Sequence, residues 1–188
     1  MPRKKSYIEE EVIEKAMHTF WKNGYEATSV RMLEKEMGIN QFSIYASFDD
    51  KEGVFLESIK YYKRKLRKEL LDDLSISGKG IDSIKKYFYD FLKFIKEDNA
   101  YKGCLLTNTI NELKPEVQSI IKSQIAEFAK KIRNTFVKIL ATDTNKDMQM
   151  VEKQANYLIV ALQGLSIASK MLGKKQLDDF IEETFVHL

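Results

Sequence analysis

Between residues 28 and 51 the chain gathers side chains able to bond outward: Thr28, Ser29, Arg31, Gln41, Ser43, Tyr45, Ser47 and Lys51, with Phe42 among them. A glutamine offers an acceptor and a donor at once to the edge of an adenine in a major groove, and an arginine takes a guanine or a phosphate. Arg31 has a surface alternative, an ion pair with Glu34 or Glu26, which would be worth little. Thr28, Ser29 and Ser43 sit near helix starts, where a hydroxyl caps the helix, binds phosphate, or does both. Lys51, at the amino end of a helix, joins that terminus in holding a phosphate. Phe42 either presses on a thymine methyl or sugar edge or folds back on Phe48. Catalysis has no comparable set. There is one cysteine, and the two histidines, His18 and His187, lie near opposite ends of the chain. No Cys-His pair and no metal-ligand spacing emerges, so neither an enzyme nor a metal or cofactor is expected.

The elements that must hold these residues can be read from their neighbours. Val30, Leu33 and Met37 recur at helical spacing, Gly38 supplies the left-handed stop, and Asn40 caps the next helix. That next helix turns only Ile44 and Phe48 inward. Two short helices joined at a glycine, the second with its polar face free, have the layout of a helix-turn-helix whose second helix enters the major groove of DNA. Ahead of it, a first helix starts at Ser6 with Glu9 completing a capping box, carries Ile8, Val12, Ile13, Ala16, Met17 and Phe20 on one face, and ends at Gly24. A fourth helix begins after Asp49 or Asp50, with Val54, Phe55, Ile59, Tyr62, Leu66 and Leu70 in period. Its length makes it a connector between two bodies.

Ser75-Ile76-Ser77-Gly78-Lys79-Gly80 is the clearest break. Further helices are expected over 81–97, 103–113 (stopped before Pro115), 115–141, 148–172 and from 174 onward, with Val117 opening the apolar series of the long one. Every apolar series repeats at three or four rather than two. The expected architecture is all-α, of about nine helices: a helix-turn-helix body at 1–48, a connector helix at 49–73, and a helical body at 74–188.

Composition bounds what this architecture can do. An apolar fraction of 44% supports a substantial core, and two prolines with eight glycines favour long helices. A net charge of +3 is too small to indicate nucleic acid in bulk, so any such affinity comes from local placement. The basic arm Arg3-Lys4-Lys5 can add phosphate contacts, whereas the run Lys60, Lys63, Arg64, Lys65, Arg67 and Lys68 reads as a solvated face beyond reach of a duplex. A single cysteine fits a reducing compartment, and neither a membrane-spanning run nor a signal-peptide core is present, so a cytoplasmic location and no membrane partner are expected. Cys104 reads as a small buried hydrophobe or, alternatively, as a redox or electrophile sensor. Asn108, Asn111, Tyr157 and Gln163 interrupt apolar faces and need partners, either protein groups or a bound molecule. With Cys104 and the aromatics Phe88, Phe91 and Phe128 they would suit a mostly apolar ligand in a helical cage.

Residues 8–62 resemble the TetR/AcrR family of bacterial transcriptional regulators. The likeness is carried by Phe20 to Gly24-Tyr25, Ala27-Thr28-Ser29-Val30-Arg31, Ile44-Tyr45 to Phe48, and Lys51-Glu52 leading into Val54-Phe55. Gly103-Cys104-Leu105-Leu106-Thr107-Asn108 is similar to a segment in one branch of that family. Gln41 and Phe42 depart from the family's frequent Lys and its Gly or Pro. The resemblance implies that Tyr45 places its hydroxyl on a backbone phosphate. It implies a homodimer joined through the last two helices, with Leu158, Leu162, Leu165, Phe180, Ile181 and Phe185 among the surplus apolar surface. It further implies a sequence-specific repressor of a palindromic operator in double-stranded DNA, released by a small-molecule effector. The alternative is a helical sensor in which Cys104 switches DNA binding.

Overall fold

The computed structural model describes residues 7–97, 100–112, 119–186 and 188. The basic arm Arg3-Lys4-Lys5, the cap at Ser6, Pro115, Val117 and His187 lie outside the described residues. The described chain is helical apart from short connections. α1 spans Glu9–Asn23, α2 Val30–Met37 and α3 Gln41–Phe48. α4 (Lys51–Leu66) passes through a π-helical turn, Arg67–Leu71, into α5 (Asp72–Ser77), so the connector is one rod reaching past the expected break at Ser75. α6 (Gly80–Phe94), α7 (Leu105–Glu112), α8 (Ser119–Leu140), α9 (Met148–Ala168) and α10 (Lys174–Val186) follow.

Local chemistry fixes the boundaries. α1 starts at Glu9 with no side-chain cap, and Glu9, Glu10 and Glu11 in its first turn complement the helix dipole. Ser29, Asn40, Asp50 and Asp147 cap α2, α3, α4 and α9, each accepting from a backbone N–H three residues on. Gly38 closes α2 at φ +72°, a conformation that costs any other residue about 1–2 kcal/mol. Where a helix was expected to reach residue 97, α6 stops at Phe94. A two-residue antiparallel ribbon then pairs β1 (Lys96–Glu97) with β2 (Ala100–Tyr101), and Lys102 N–H donates to Ile95 O at 3.0 Å. The ribbon is too small to change the class.

α1 lies along α4, and a run of rings joins the amino-terminal helices to the rest. Phe20 meets Phe55 edge-on with centroids 4.8 Å apart, Trp21 meets Tyr62 at 5.2 Å, and Tyr62 meets Phe94 at 5.4 Å. Such pairs add about 0.5–1.5 kcal/mol each beyond their buried area. The basic run on α4 is largely neutralised locally: Lys60 pairs with Glu57, Arg64 with Glu10, Lys65 with Glu14 and Arg67 with Asp72.

The structure corrects the expected dimer residues. Leu158, Leu162, Leu165 and Ile181 are buried in the protomer's own core, and Phe185 packs edge-on against Phe88 at 5.1 Å. Phe180 remains exposed. Its exposed apolar companions are Tyr157, Val160, Ile167 and Met171, one stripe at helical spacing on and just beyond α9.

Candidate nucleic-acid interface and regulatory cavity

α3 is presented as the sequence implies. Ile44 and Phe48 are buried, and the rest of its eight residues lie wholly or partly free. The carboxylate of Glu34 accepts from Gln41 N–H, and Asn40 Oδ1 accepts from Ser43 N–H at 2.8 Å, so α2 and the loop both tie down the start of α3. Gln41 Nε2 donates to the Tyr45 hydroxyl at 2.8 Å, joining the two along one exposed face. Phe42 is 84% exposed and does not fold back on Phe48. Ser43 is partly exposed, and Ser47 shares a 2.6 Å hydrogen bond with Tyr7 that fixes its hydroxyl to the segment before α1.

Beside α3, Arg31 is exposed and makes no ion pair among the described residues. Ser29 is exposed, with its Oγ accepting from Met32 N–H. Thr28 requires a correction: its side chain is fully buried and its hydroxyl donates to Gly24 O at 2.6 Å, so it braces the α1–α2 turn and has no hydroxyl to offer at the surface. Lys51 stands at the amino end of α4, its Nζ 3.4 Å from Glu26 O and 4.4 Å from the Tyr25 ring centroid. Gln41, Tyr45, Arg31, Ser29 and Lys51 therefore carry hydrogen-bonding groups at or near the surface of this body, with the apolar ring of Phe42 exposed among them.

Between α4, α6, α7, α8 and α9 lies a cavity of about 150 Å³. Of the expected ligand residues, Phe91, Cys104, Asn111, Phe128 and Gln163 line it. Three do not. Phe88 is consumed by ring contacts to Phe136 and Phe185, Asn108 donates to Lys102 O at 2.9 Å on the other side of α7, and Tyr157 is half exposed on the outer face of α9. The lining also takes in Leu66, Thr107, Ile110, Ile159 and Ile167, whose apolar character gave no sign of a cavity in the sequence.

α7 has a second face. There, Glu112 Oε1 accepts from Glu26 N–H at 2.7 Å, and its carboxylate lies so close to Gly24 (φ +81°) that a Cβ would sit 2.8 Å from it. Just ahead of α7, Gly103 O accepts from Trp21 Nε1 at 2.8 Å, a buried bond spanning α1 and the larger helical body. Sequence reasoning missed both ties. Glu112 looked like an ordinary acid at a helix end, and only the uniqueness of Trp21 in the chain could have drawn attention to it.

Cys104 is buried at the cavity wall, its N–H donating to Ser166 Oγ at 2.8 Å. Burial pushes its thiol pKa up, and likewise the hydroxyls of Tyr62 and Tyr87, which lie close enough to couple with it electrostatically.

A helix-turn-helix held on an aromatic scaffold, beside a helical body that encloses a small apolar cavity, is the architecture of a DNA-binding protein. Residues 12–58 match the family model of bacterial regulatory proteins, tetR family. The chain is 26% identical over 172 residues to the HTH-type transcriptional repressor ComR of Escherichia coli, covering 89% of this chain and 82% of that protein. It is 22% identical over 142 residues to IcaR, the negative transcriptional regulator of the biofilm operon icaADBC in Staphylococcus aureus, with 76% of each covered. Its fold matches a cysteine mutant of the TetR family regulator CifR complexed with 26-bp operator DNA, at a TM-score of 0.83 and 22% identity over 97% of both chains. Residues 12–58 are thus similar to the tetR family, and the relatives that cover three quarters or more of the chain are transcriptional regulators, which makes this chain a DNA-binding transcriptional regulator. Among the described residues no helix is long and apolar enough to cross a membrane.

A buried thiol with a raised pKa carries less thiolate at neutral pH than a free cysteine, and reacts more slowly. Iodoacetamide at pH 7 should leave Cys104 of the native protein unmodified over a period in which the urea-unfolded chain is fully labelled, as read by intact mass. Rapid labelling of the native protein would contradict the packing described.

Proposed function

We propose that this regulator is a homodimeric, cytoplasmic repressor that binds a palindromic operator in double-stranded DNA through α3. A small, mostly apolar effector entering the cavity releases it. In this reading residues 1–48 bind DNA, 49–73 connect, and 74–188 bind the effector and dimerise. The names of ComR and IcaR, both negative regulators, support repression, and the operator complex of CifR supports the mode of DNA contact.

The observation that carries the proposal is the double duty of α7. Leu106, Thr107, Ile110 and Asn111 face the cavity, while Glu112 and the carbonyl just before the helix hold the α1–α2 turn and Trp21. A cavity of about 150 Å³ admits a group about the size of benzene. Ligand sites are commonly about 300–1,000 Å³. Any larger effector must therefore push the wall outward, and α7, like α4, is a wall that touches the DNA-binding body. Displacing it loosens the ties at Glu26 and Trp21 and re-aims α3, which two protomers must place in successive major grooves. A Cys104 switch is the lesser reading, because the thiol is buried and held protonated.

At the DNA, Gln41 reads bases, while Tyr45 and Lys51 hold phosphates, assisted by Ser29 and Arg31. Gln41→Ala should relax base preference at a cost of about 1–3 kcal/mol against the preferred base, whereas Lys51→Ala should weaken all duplexes alike and flatten the salt slope by about one. Electrophoretic shifts over a salt series check both, and an unchanged preference in Gln41→Ala would remove that residue from base readout.

The dimer is joined through the exposed stripe. Phe180→Glu or Val160→Glu should give folded monomers by sedimentation and lose operator binding together. Leu165→Glu would instead unfold the protomer, since that side chain is fully buried.

Filling the cavity should mimic the effector. Ala129→Phe inserts a ring where Ala129 lines the wall, at about 1–3 kcal/mol of overpacking. The expected result is a folded dimer with operator affinity at least about tenfold weaker, a difference of about 1.4 kcal/mol. Wild-type affinity in a variant whose helicity and cooperative melting are intact would count against release through α7.

A further inference from the structure

Among the described residues Phe42 is the most exposed aromatic side chain, 84% open to solvent, on a helix whose buried residues are Ile44 and Phe48. A phenyl ring left in water forgoes burial that would stabilise the fold, so the protomer alone gives no reason for its place. Phe42 is the second residue of α3, directly after Gln41. In a helix-turn-helix the amino-terminal residues of the second helix are the ones that reach base edges.

Gln41 is already arranged for such an edge. Its Nε2 donates to the Tyr45 hydroxyl at 2.8 Å, which uses one of the two amide hydrogens and turns the side chain to a fixed face of α3. The second hydrogen and Oε1 are free among the described residues, and these are the donor and acceptor that pair with N7 and the amino group of an adenine. Successive Cα atoms stand about 3.8 Å apart and successive bases along a strand about 3.4 Å. Neighbouring side chains at this end of α3 therefore address neighbouring base pairs.

Beside the amide of Gln41, Phe42 brings a ring with no hydrogen-bonding atom. The apolar feature that a base edge offers in the major groove is the methyl group of thymine. A cytosine amino group or the guanine acceptors in its place would be desolvated against the ring without a partner, which disfavours those bases. Attraction to one base and a penalty against the others act together at this position.

We propose that Phe42 is a base-reading residue, its ring seated on the C5 methyl group of a thymine in the base pair next to the adenine held by Gln41. Each half-site of the operator then carries an adenine and a thymine in adjacent base pairs, selected by two neighbouring residues of different chemistry. The inference rests on the reading that α3 enters the major groove, and adds to it which bases these two positions choose.

Replacing thymine by deoxyuridine removes the methyl group and keeps every hydrogen-bonding atom of the base. The full-length protein would first select its preferred duplex from a random pool. Each thymine of one half-site is then replaced in turn by deoxyuridine, and affinities are read by fluorescence anisotropy. One replacement, in a base pair next to the adenine whose preference Gln41→Ala relaxes, should weaken binding about fourfold, the loss expected for one methyl-sized group returned to water. Phe42→Ala should bind the thymine and deoxyuridine duplexes equally and keep the wild-type salt slope, because no charge is removed. Its helicity and melting temperature should be those of the wild type, since the side chain is exposed. A flat deoxyuridine series on a selectively bound duplex, or a Phe42→Ala variant that still prefers thymine, would overturn Phe42 as a base reader and leave recognition through α3 standing. If no duplex is enriched from the pool, recognition through α3 falls and this proposal falls with it.

Discussion

An eight-residue helix with two buried side chains cannot hold its own shape or place, and much of this architecture answers that constraint. α3 is fixed at its start by Glu34 and Asn40 and at Ser47 by Tyr7, while α4 leaves its far end in a new direction after the tight turn at Asp49. Behind these ties stands the aromatic packing of α1 on α4. Because Phe20, Tyr25 and Phe55 form one group of touching rings and Trp21, Tyr62 and Phe94 a second, the amino-terminal helices and the rod α4 share one core. Interiors packed at that density transmit displacement rather than absorb it. A shift of α4 or of the α1–α2 turn therefore arrives at α3 as a change of aim.

α7 is where such a shift can be imposed. It is short, it separates two hollows, and hydrogen bonds from Glu112 at its end and from Gly103 just before it join it to the DNA-binding body. Polar ties suit that role. A hydrogen bond between backbone N–H and carboxylate is directional and is lost over a displacement of about an ångström, whereas apolar contact degrades gradually. The inner hollow is small and mostly apolar and the outer one larger and more polar, so the two faces of one helix meet different surroundings.

Much of the recognition surface was legible in the sequence because its signals are local. A glycine with positive φ, an asparagine cap and a helix with too few apolar residues each depend on neighbours within a turn or two, and Gly38, Asn40 and the exposed face of α3 followed from them. Thr28 misled for the same reason. A threonine just ahead of a helix looks like a free hydroxyl, and only the approach of the Gly24 carbonyl, set by the α1–α2 turn, shows that it is used internally. The ties from Trp21 to Gly103 and from Glu26 to Glu112 span 82 and 86 positions, and no local pattern encodes them.

The outer face of α9 shows the limit of periodicity most clearly. Its apolar residues occupy both sides of the helix: Val151, Leu158, Leu162 and Leu165 on one, Tyr157, Val160 and Ile167 on the other. A helix apolar all round must be covered all round. The sequence can state that requirement but cannot say which stripe the protomer covers itself, since both repeat with the same period. Once α7, α8 and α10 have claimed the first stripe, the second is what remains exposed, with Gly164 at its centre leaving room for close approach and Phe180 of α10 alongside. Gln163 and Ile167 belong both to this face and to the wall of the inner cavity. Whatever covers the stripe therefore also bears on the cavity, so under the proposed function association and ligand entry would share side chains and be thermodynamically linked.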